Sequence, residues 1–279
     1  MTLTVMSQNA QYGAHLDGRW EGLVDVVRGV SPQMLLLQEV DWLADADRAE
    51  AAEEALGMKL VVAPSHNLPT AVAWDPEHLE LLDVETKYSE REMHHGYCAP
   101  RFRPLGLTEE WPVPLVAIST HLTPTSAQAA AIETQLVVSR AYRYGGIAVV
   151  GGDINHMPLG DPEPDWSRVQ PYNRTSRCLR REHPTDPWQG NRVVGQTLRD
   201  GEFTDVGGYV ADLRRNPDLL EPTGKHGLLR VDQIHVAPAL VPTIKDYWRV
   251  DPGPHSDHYG VATRLDLQQT DLSLVRTYT

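Results

Sequence analysis

The spacing of apolar and polar residues predicts alternating strands and helices from the first residues of the chain. Residues 2–8 alternate weakly and are rich in β-forming residues, which is typical of a strand. Apolar side chains then recur with helical spacing over residues 20–27, and Gly29 with Pro32 should end that helix. The apolar run in "QMLLLQEV" predicts a buried strand with Glu39 at its exit. The chain therefore begins as strand, helix, strand, with a polar side chain at a carboxyl end.

The middle of the chain adds further strands and two helices. Residues 47–56 are rich in alanine and predict a helix that Gly57 ends. "KLVVAP", "TAVAWDP" and "LELLDVET" predict three strands of an antiparallel meander, and residues 94–114 predict a loop and a hairpin. "PLVAISTHL" predicts a strand, and "TPTSAQAAAIETQLVVSRAYRYGG" predicts a helix. The inner face of that helix should carry Ile132, Leu136, Val137 and Ala141.

The second half predicts a similar succession around one long loop. A short apolar run in "IAVVGG" indicates a buried strand, and residues 157–192, which have few periodic positions, indicate a long functional loop with short helical pieces. "VVGQTLRDGEFTDV" and "GYVADLRRNP" predict short helices, whereas "LRVDQIHVAP", "TIKDYWRV" and "YGVATRLDL" predict strands. No seam divides this α/β pattern, so we expect one domain over residues 1–267 and a tail over residues 268–279.

Net charge and composition limit the kinds of substrate that the protein can bind and indicate the cellular compartment in which it works. A formal net charge of −13 over 279 residues disfavours loose binding to nucleic acid, which depends on many Lys and Arg contacts, so such a substrate would have to meet a local basic patch. Cys98 and Cys178 form neither a disulfide framework nor a zinc spacing. The sequence starts without a signal-peptide pattern and contains no long apolar run. We therefore expect a cytoplasmic protein with no membrane segment and no obligate protein partner.

Polar side chains that can bind a ligand stand where six of the predicted strands begin or end. These residues are Asn9, Glu39, His121, Asp153 with Asn155, Asp232, and Asp257 with His258. In α/β sheets, ligands collect outside strand ends, where rigid elements hold several side chains in place. One such position means little, but six strand ends indicate a common site.

Three of these residues have the chemistry of a site for a hard cation. Glu39, Asn9 and Asp257 offer oxygen ligands, which suit Mg²⁺ or Mn²⁺. No cysteine lies near them in the sequence, which disfavours a zinc site. We therefore expect Mg²⁺ or Mn²⁺ as the cofactor.

Phosphoryl hydrolysis is the reaction class that combines a hard cation with a histidine base. His121 and His258 can act as base and donor, and Asp232 can orient one imidazole. Asp153 and Asn155 would face one spot if the extended backbone of "VVGGDIN" continues through residue 154. The alternative for this pair is an Asx turn that caps the next segment.

The order of the motifs resembles that of a known family. "SQN", "LLLQEV", "AVAWDP", "STHL", "VVGGDIN", "RVDQIHV" and "SDHYGV" follow one another over residues 1–266. This ordered set resembles the endonuclease/exonuclease/phosphatase family, to which deoxyribonuclease I belongs. The resemblance implies a four-layer α/β sandwich, with two mixed β-sheets packed face to face and helices outside. It also implies a divalent-metal-dependent hydrolase of phosphodiester bonds, such as a nuclease.

The resemblance also suggests a role for each motif residue. Glu39 corresponds to the principal metal ligand, with Asn9 as its helper and Asp257 as a further metal-side ligand. Asp153 and Asn155 correspond to the pair that positions the attacking water and the phosphate.

Both histidines also have counterparts in the family. His258 resembles the base or phosphate-contacting histidine, with Asp232 as its carboxylate partner. His121 resembles the histidine of the deoxyribonuclease I and phosphatase branches, which donates to a substrate oxygen. The substrate stays open: a nucleic acid or smaller phosphodiester, a phosphomonoester of a sugar, inositol or nucleotide, or no reaction at all if the chain is an inactive binding module.

Several loop residues have two possible roles. The sequence leaves two roles open for Arg101, Arg103, His156, Lys225 and Arg230: contact with a substrate phosphate, or a simple surface position. Among them, Arg103 is our candidate for substrate binding. Trp166, Tyr172 and Trp188 could either stack on bases or anchor the long loop to the body of the protein. Most of the other histidines are expected to face solvent or to lie in loops; they include His94, His95, His226 and His255.

Overall fold

The computed structural model of the protein describes residues 1–225 and 228–276, so His226 and the last three residues of the predicted tail lie outside the described residues. Twelve strands in these ranges form two mixed sheets of six strands each. The first sheet has, in spatial order, β11 (Ile244–Val250), β12 (Gly260–Asp266), β1 (Thr2–Asn9), β2 (Met34–Gln38), β4 (Ala71–Trp74) and β3 (Lys59–Val62). The second sheet has β5 (Leu79–Glu85), β6 (Gly96–Pro104), β7 (Leu115–His121), β8 (Ala148–Asp153), β10 (Asp232–Val236) and β9 (Thr204–Asp205).

Seven α-helices in the described residues surround the two sheets. They are α1 (Trp20–Val30), α2 (Ala46–Leu56), α3 (Ser89–Glu92), α4 (Ala127–Arg143), α5 (Pro171–Arg177), α6 (Val193–Asp200) and α7 (Val206–Arg214). Apolar residues of α1 and α2 pack on the outer face of the first sheet, and those of α4 and α6 pack on the outer face of the second. A central core joins the inner faces of both sheets, with Leu36 on one side and Val149 on the other. The predicted four-layer α/β sandwich is therefore confirmed.

Two of the predicted strand pairings are wrong. β3 and β4 pair antiparallel as a meander requires, but β5 crosses to the second sheet and pairs with β6. Residues 94–114 contain the nine-residue strand β6, which lies between β5 and β7 instead of forming a local hairpin. Short apolar runs predict strands but do not specify which sheet they join, because both sheets share one core.

The predictions for two helices hold with one exception. Helix α1 ends at Val30, between the predicted stop residues Gly29 and Pro32, and Ser31 follows in the left-handed conformation.

On α4, the predicted inner residues Val137 and Ala141 are buried and Leu136 packs on the core, whereas Ile132 is 62% exposed. The buried stripe of α4 consists mainly of small residues, and Ile132 lies outside it.

The final described residues lie against the body of the protein. Leu272 and Val275 pack on the central core, and the backbone N–H of Arg276 donates to the carbonyl of Gly145. The boundary between a domain over residues 1–267 and a tail stays a prediction. None of the helices in the described ranges has the length and apolarity needed to cross a bilayer.

The register of the strands brings the polar strand ends to one edge of the sandwich. β1 and β2 are parallel with Asn9 opposite Gln38, and β7 and β8 are parallel with His121 opposite Asp153. β10 runs antiparallel to β8 and begins at Asp232, directly opposite Asp153. Parallel neighbours end at the same edge, and an antiparallel neighbour begins there. The candidate site lies at this edge.

Candidate functional site

The amide of Asn9 connects two carboxylates that come from different sheets. Its Nδ2 donates to Oε1 of Glu39 at 3.0 Å and to Oδ2 of Asp153 at 3.2 Å. Its Oδ1 accepts the backbone N–H of Gln11 at 2.8 Å, which fixes the orientation of the amide. Asn9 is fully buried, so this bridge lies inside the protein.

Glu39 follows the last residue of β2 and has a left-handed backbone, with φ of 59°. This conformation is costly for a residue with a side chain, and outside turns and helix ends it is enriched at functional sites. Its Oε2 accepts the backbone N–H of Tyr12 at 2.8 Å, and its side chain is 16% exposed. Glu39 is therefore held at the mouth of the site with access to solvent.

The carboxylate of Asp153 lies between two imidazoles. Its Oδ2 is 3.4 Å from Nε2 of His121 and 3.8 Å from Nε2 of His258. Nδ1 of His258 is 2.9 Å from Oδ2 of Asp232, which is fully buried. His258 therefore contacts Asp232 through one ring nitrogen and faces Asp153 with the other, as the histidine of a catalytic triad faces its orienting carboxylate and its reaction partner.

The electrostatics of the histidine–aspartate pair favour a charged imidazole. Burial lowers the pKa of His258, but the carboxylates of Asp232 and Asp153 outweigh it and raise the pKa to about 10. Burial raises the pKa of Asp232, and His258 opposes that effect. At neutral pH without a cation, His258 is therefore an imidazolium.

Two overlapping clusters of ligand atoms have the dimensions of a metal site. Single ligand atoms of Glu39, His121 and Asp153 lie within 4.8 Å of one another, as do those of Asp153, Asp232 and His258. Two carboxylates so close together repel each other unless a positive charge lies near them. The donor set is dominated by carboxylate oxygens and contains no thiolate, which fits a hard divalent cation.

Asp257 precedes His258, but neither cluster of described residues contains its carboxylate. Its backbone carbonyl accepts the N–H of Lys225 at 3.0 Å, and its charge contributes to the raised pKa of His258. It therefore lies next to the site, and its role as a metal ligand stays a prediction.

Asn155 does not point as the extended-backbone argument expected. Its φ is 61°, and its N–H donates to Oδ1 of Asp153 at 2.9 Å, which is the Asx-turn alternative. Its side chain donates to the carbonyl of Leu122 and accepts from Arg177. Asp153 thus both closes the turn and faces the site, whereas Asn155 is already occupied by protein partners in the described residues.

The structure places the predicted substrate-binding arginine elsewhere. Arg103 lies near the far end of β6 and pairs with Glu80 at 2.8 Å, whereas Gly96 at the other end of that strand lies opposite His121. Seven residues of strand separate Arg103 from this edge, which is about 23 Å. Arg103 is not part of the cluster, because β6 runs away from it.

The other candidate phosphate contacts also have other partners. Arg230 is buried and pairs with Asp161 and Asp205, so it does not neutralise Asp232. His156 is buried, with Nε2 3.1 Å from the carbonyl of Thr123. The remaining two are Arg101, which pairs with Asp83, and Lys225, which donates to the carbonyls of Gly253 and Ser256.

Several residues that the sequence did not indicate hold the site together. The hydroxyl of Ser256 donates to the carbonyl of Asn9, and Nε2 of Gln8 donates to the carbonyls of Asn9 and His258. His95 is 4% exposed and stacks on His121 with ring centroids 3.9 Å apart. Ser256 and Gln8 belong to the motifs "SDH" and "SQN", which was the only signal for them. His95 lies in the loop before β6, and no motif marked its contact with His121.

No model of a known protein family matches the sequence, and no curated protein sequence matches it. Solved structures, in contrast, superpose on nearly the whole chain. An endonuclease/exonuclease/phosphatase protein from Bacteroides vulgatus has a TM-score of 0.65 at 14% identity, over 96% of this chain and 99% of its own. ANGEL2, described as a 2′,3′-cyclic phosphatase, has a TM-score of 0.63 at 15% identity, over 96% of each chain.

The endonuclease domain of TRAS1, a telomere-specific non-LTR retrotransposon, has a TM-score of 0.58 at 15% identity, over 96% of this chain and 100% of its own. At such identities a likeness establishes the fold and leaves the activity open. The fold that the motifs implied is thus confirmed. The chain has the same fold as these solved structures, a four-layer α/β sandwich of the deoxyribonuclease I-like type.

Proposed function

We propose that the protein is a divalent-metal-dependent phosphoesterase that hydrolyses a phosphodiester bond. The observation that carries this proposal is the meeting of residues from both sheets at one edge: Asn9 donates to both Glu39 and Asp153, and Nε2 of His258 lies 3.8 Å from Oδ2 of Asp153. Solved structures described as an endonuclease domain and a cyclic phosphatase have the same fold, which supports the reaction class. Two carboxylates so close together would be costly in a purely structural role, because their charges repel each other.

Glu39 and Asp153, with the amide of Asn9, would hold the cation, which we expect to be Mg²⁺ or Mn²⁺. Asp257 stays our candidate for a ligand on the water side. When bound, such a cation polarises a phosphate oxygen and offsets the negative charge of the reacting group. The amide of Asn9 keeps the two carboxylates at a fixed separation beforehand, which reduces the reorganisation needed on binding.

The remaining residues would act on the water and the phosphate. In our proposal His258 takes a proton from the water that attacks in line, and Asp232 stabilises the resulting imidazolium. His121, which lies beside Asp153, donates to a phosphate oxygen. Asn155 holds the turn that positions Asp153, with Arg177 fixing its amide. To act as a base, His258 must first lose its own proton, and a cation near Asp153 lowers its pKa in that direction.

The alternative is a phosphomonoesterase that acts on a sugar, inositol or nucleotide phosphate. We would measure hydrolysis of bis-p-nitrophenyl phosphate, p-nitrophenyl phosphate, plasmid DNA and single-stranded oligonucleotides with Mg²⁺, with Mn²⁺ and with EDTA. The proposal requires metal-dependent cleavage of a diester that Asp153→Asn abolishes. Cleavage of monoesters alone would favour the alternative, and no cleavage of any substrate would favour a binding module. The cytoplasmic location stays a prediction.

A further inference from the structure

The segment after β8 concentrates positive charge in a protein that is otherwise acidic. Between residues 168 and 188 the chain has five arginines and two acidic residues, whereas its formal net charge is −13. Four of these arginines are Arg168, Arg174, Arg180 and Arg181, and Arg177 is the one that contacts Asn155. This is the local basic patch that an acidic protein needs in order to bind a polyanion.

The charge of this segment is not neutralised by the protein. Among the described residues, no carboxylate lies within 4.0 Å of the guanidinium groups of Arg168, Arg174, Arg180 or Arg181, whereas Arg192 nearby pairs with Glu163. Two of the four are held by backbone carbonyls instead. Arg181 donates to the carbonyls of Pro184 and Asp186, and Arg174 donates to that of Trp166. These contacts orient the side chains and leave their positive charge available.

The arginines border a groove of about 600 Å³, which we call the arginine groove. Its lining includes Arg174, Arg180, Arg181, Trp188 and Gln128. Gln128 belongs to the first turn of α4, which is the positive end of that helix's dipole. Two separate features, an arginine cluster and a helix start, therefore favour an anion in the same groove.

The arginine groove lies beside the candidate site. Arg177, between two groove residues on the same stretch of chain, donates to the backbone carbonyl and the side chain of Asn155. Arg174 is one helical turn from Arg177, which is about 5 Å along α5. A substrate with several phosphates could therefore occupy both places at once, whereas a compact ester could not.

Aromatic side chains in the segment have two different environments. Trp166 is 6% exposed and donates to Glu163, so it anchors the loop. Trp188 has the guanidinium groups of Arg181 and Arg174 at 3.7 Å and 5.3 Å from its ring, which stabilises their positions. Tyr172 is 67% exposed, one helical turn before Thr175 in the groove lining. An exposed aromatic ring next to arginines that have no carboxylate partner is suited to stack on an unpaired base.

We propose that the arginine groove binds the phosphates of a single nucleic-acid strand beyond the bond that is cleaved. The inference rests on the proposed function, because it names the substrate class of that site. It predicts that the enzyme prefers an extended single strand over compact esters. Stacking needs bases that are free of a duplex, so duplex of the same sequence binds more weakly.

Binding can be measured without catalysis by the fluorescence anisotropy of a labelled twelve-nucleotide oligothymidine with the full chain in EDTA. We expect Arg180→Gln/Arg181→Gln to weaken binding about tenfold and to lower the slope of log Kd against log salt by about 1.4, since each lost contact contributes about 0.7. Tyr172→Ala should weaken binding about fivefold without changing the slope. The matched control Arg28→Gln/Arg48→Gln removes the same charge from exposed positions on α1 and α2 and should leave binding unchanged.

The proposal would be overturned if Arg180→Gln/Arg181→Gln and Arg28→Gln/Arg48→Gln lost the same amount of oligonucleotide affinity. It would also be overturned if the wild-type protein did not bind the oligonucleotide. Binding of phosphatidylserine vesicles that the groove variant loses, with oligonucleotide binding retained, would also overturn it in favour of a membrane surface. The proposed function is tested separately by hydrolysis of bis-p-nitrophenyl phosphate, which is too small to reach the groove. If that diester and all oligonucleotides stay intact while binding follows the prediction, the groove is confirmed and the phosphoesterase is not.

Discussion

At the scale of single residues, the central feature is a pair of carboxylates that share one amide. Glu39 and Asp153 both accept from Asn9, and their negative charges lie close together in a mostly buried place. Such an arrangement lowers the stability of the fold until a cation arrives, and proteins keep this kind of strain at sites that act on ligands. The pair therefore links stability to metal binding.

Glu39→Gln tests this link directly. It removes one of the two charges and keeps the hydrogen bond to Asn9, but its amide nitrogen cannot accept the N–H of Tyr12. Each effect is worth about 1 kcal/mol, so they offset each other and the metal-free variant should melt close to wild type. Addition of Mn²⁺ should raise the melting temperature of wild type but hardly that of the variant. Differential scanning fluorimetry with and without Mn²⁺ measures both. Glu50→Gln, on the exposed face of α2, is the control, and an unchanged response to Mn²⁺ in Glu39→Gln would contradict the account.

His258 provides a second test, because its pKa decides between two roles. As a base it must be neutral, so kcat/KM would rise with pH until the imidazole has lost its proton. As a donor to phosphate it must be charged, so kcat/KM would fall over the same range. We predict a rise, with a midpoint below the value of about 10 in the metal-free protein.

Asp232→Asn completes that test by removing the charge that raises the pKa of His258. The variant should lose about two to four orders of magnitude in kcat, as expected when an orienting carboxylate is replaced by an amide. Its metal-free His258 should titrate at a lower pH than in wild type, which NMR of the imidazole can follow. An unchanged kcat would exclude Asp232 from the mechanism.

At the scale of elements, the two glycines of "VVGGDIN" show why β8 can carry its aspartate to the edge. A methyl group on Gly151 would lie 2.7 Å from Cδ1 of Leu36, a residue of the other sheet. Gly152 has a φ of +151°, and a methyl group there would lie 1.8 Å from the carbonyl oxygen of Thr120 on β7. The close approach of β7 to β8 therefore requires glycine at Gly152, whereas a methyl group on Gly151 would require the end of the Leu36 side chain to shift.

Gly152→Ala should accordingly destabilise the fold by more than about 3 kcal/mol, because backbone atoms must move to admit the methyl group. Gly29→Ala is the matched control, since Gly29 lies within α1 and nothing is within 4 Å of the added carbon. That change should stabilise the protein by about 0.5–1 kcal/mol. Urea unfolding measures both. A mild effect of Gly152→Ala would contradict the close packing of β7 on β8.

The same scale shows what the sequence could predict. Strand ends with polar residues were identifiable because apolar runs stop there, and their convergence followed from the motif order. The sheet that β5 joins was not identifiable, since the strand before it belongs to the first sheet and the strand after it to the second. The turn at Asn155 was one of two alternatives that the sequence left open, because an aspartate at this position fits an Asx turn as well as a strand end.

Arg103 lies far from the site because of the direction in which β6 runs. Its neighbours in the sequence are near the site, but β6 begins there and carries each later residue farther away. Residues that support the site, such as Ser256 and Gln8, were invisible because their partners are distant in the sequence and often backbone atoms. The acidic composition indicated that a nucleic-acid substrate would need a local basic patch, but it did not indicate where that patch lies.

At the scale of the whole molecule, buried histidines make stability depend on pH. Burial lowers the pKa of His235 and of His156 to about 4, from about 6.5 in an unfolded chain. Between these values the unfolded chain binds protons that the folded protein does not bind. The free energy of unfolding should therefore fall as the pH drops below about 6.5, and each residue should contribute a loss of about 2 kcal/mol by pH 5.

Urea unfolding at pH 7.5 and pH 5 measures this loss. His235→Gln should reduce the difference between the two pH values by about 2 kcal/mol, because it removes one titrating group. His66→Gln, which changes an exposed histidine, is the control and should leave the difference unchanged. If His235→Gln has the same pH dependence as wild type, His235 is not held neutral by burial.

The central claim is that side chains from both sheets form one site for a divalent cation and a phosphate. A crystal soaked with Mn²⁺ and phosphate tests it most directly, through the anomalous scattering of manganese. We expect a peak about 2.0–2.2 Å from a carboxylate oxygen of Glu39, with phosphate between that peak and His258. A peak at another place on the protein, or full occupancy by phosphate with no metal near Glu39, would contradict the account.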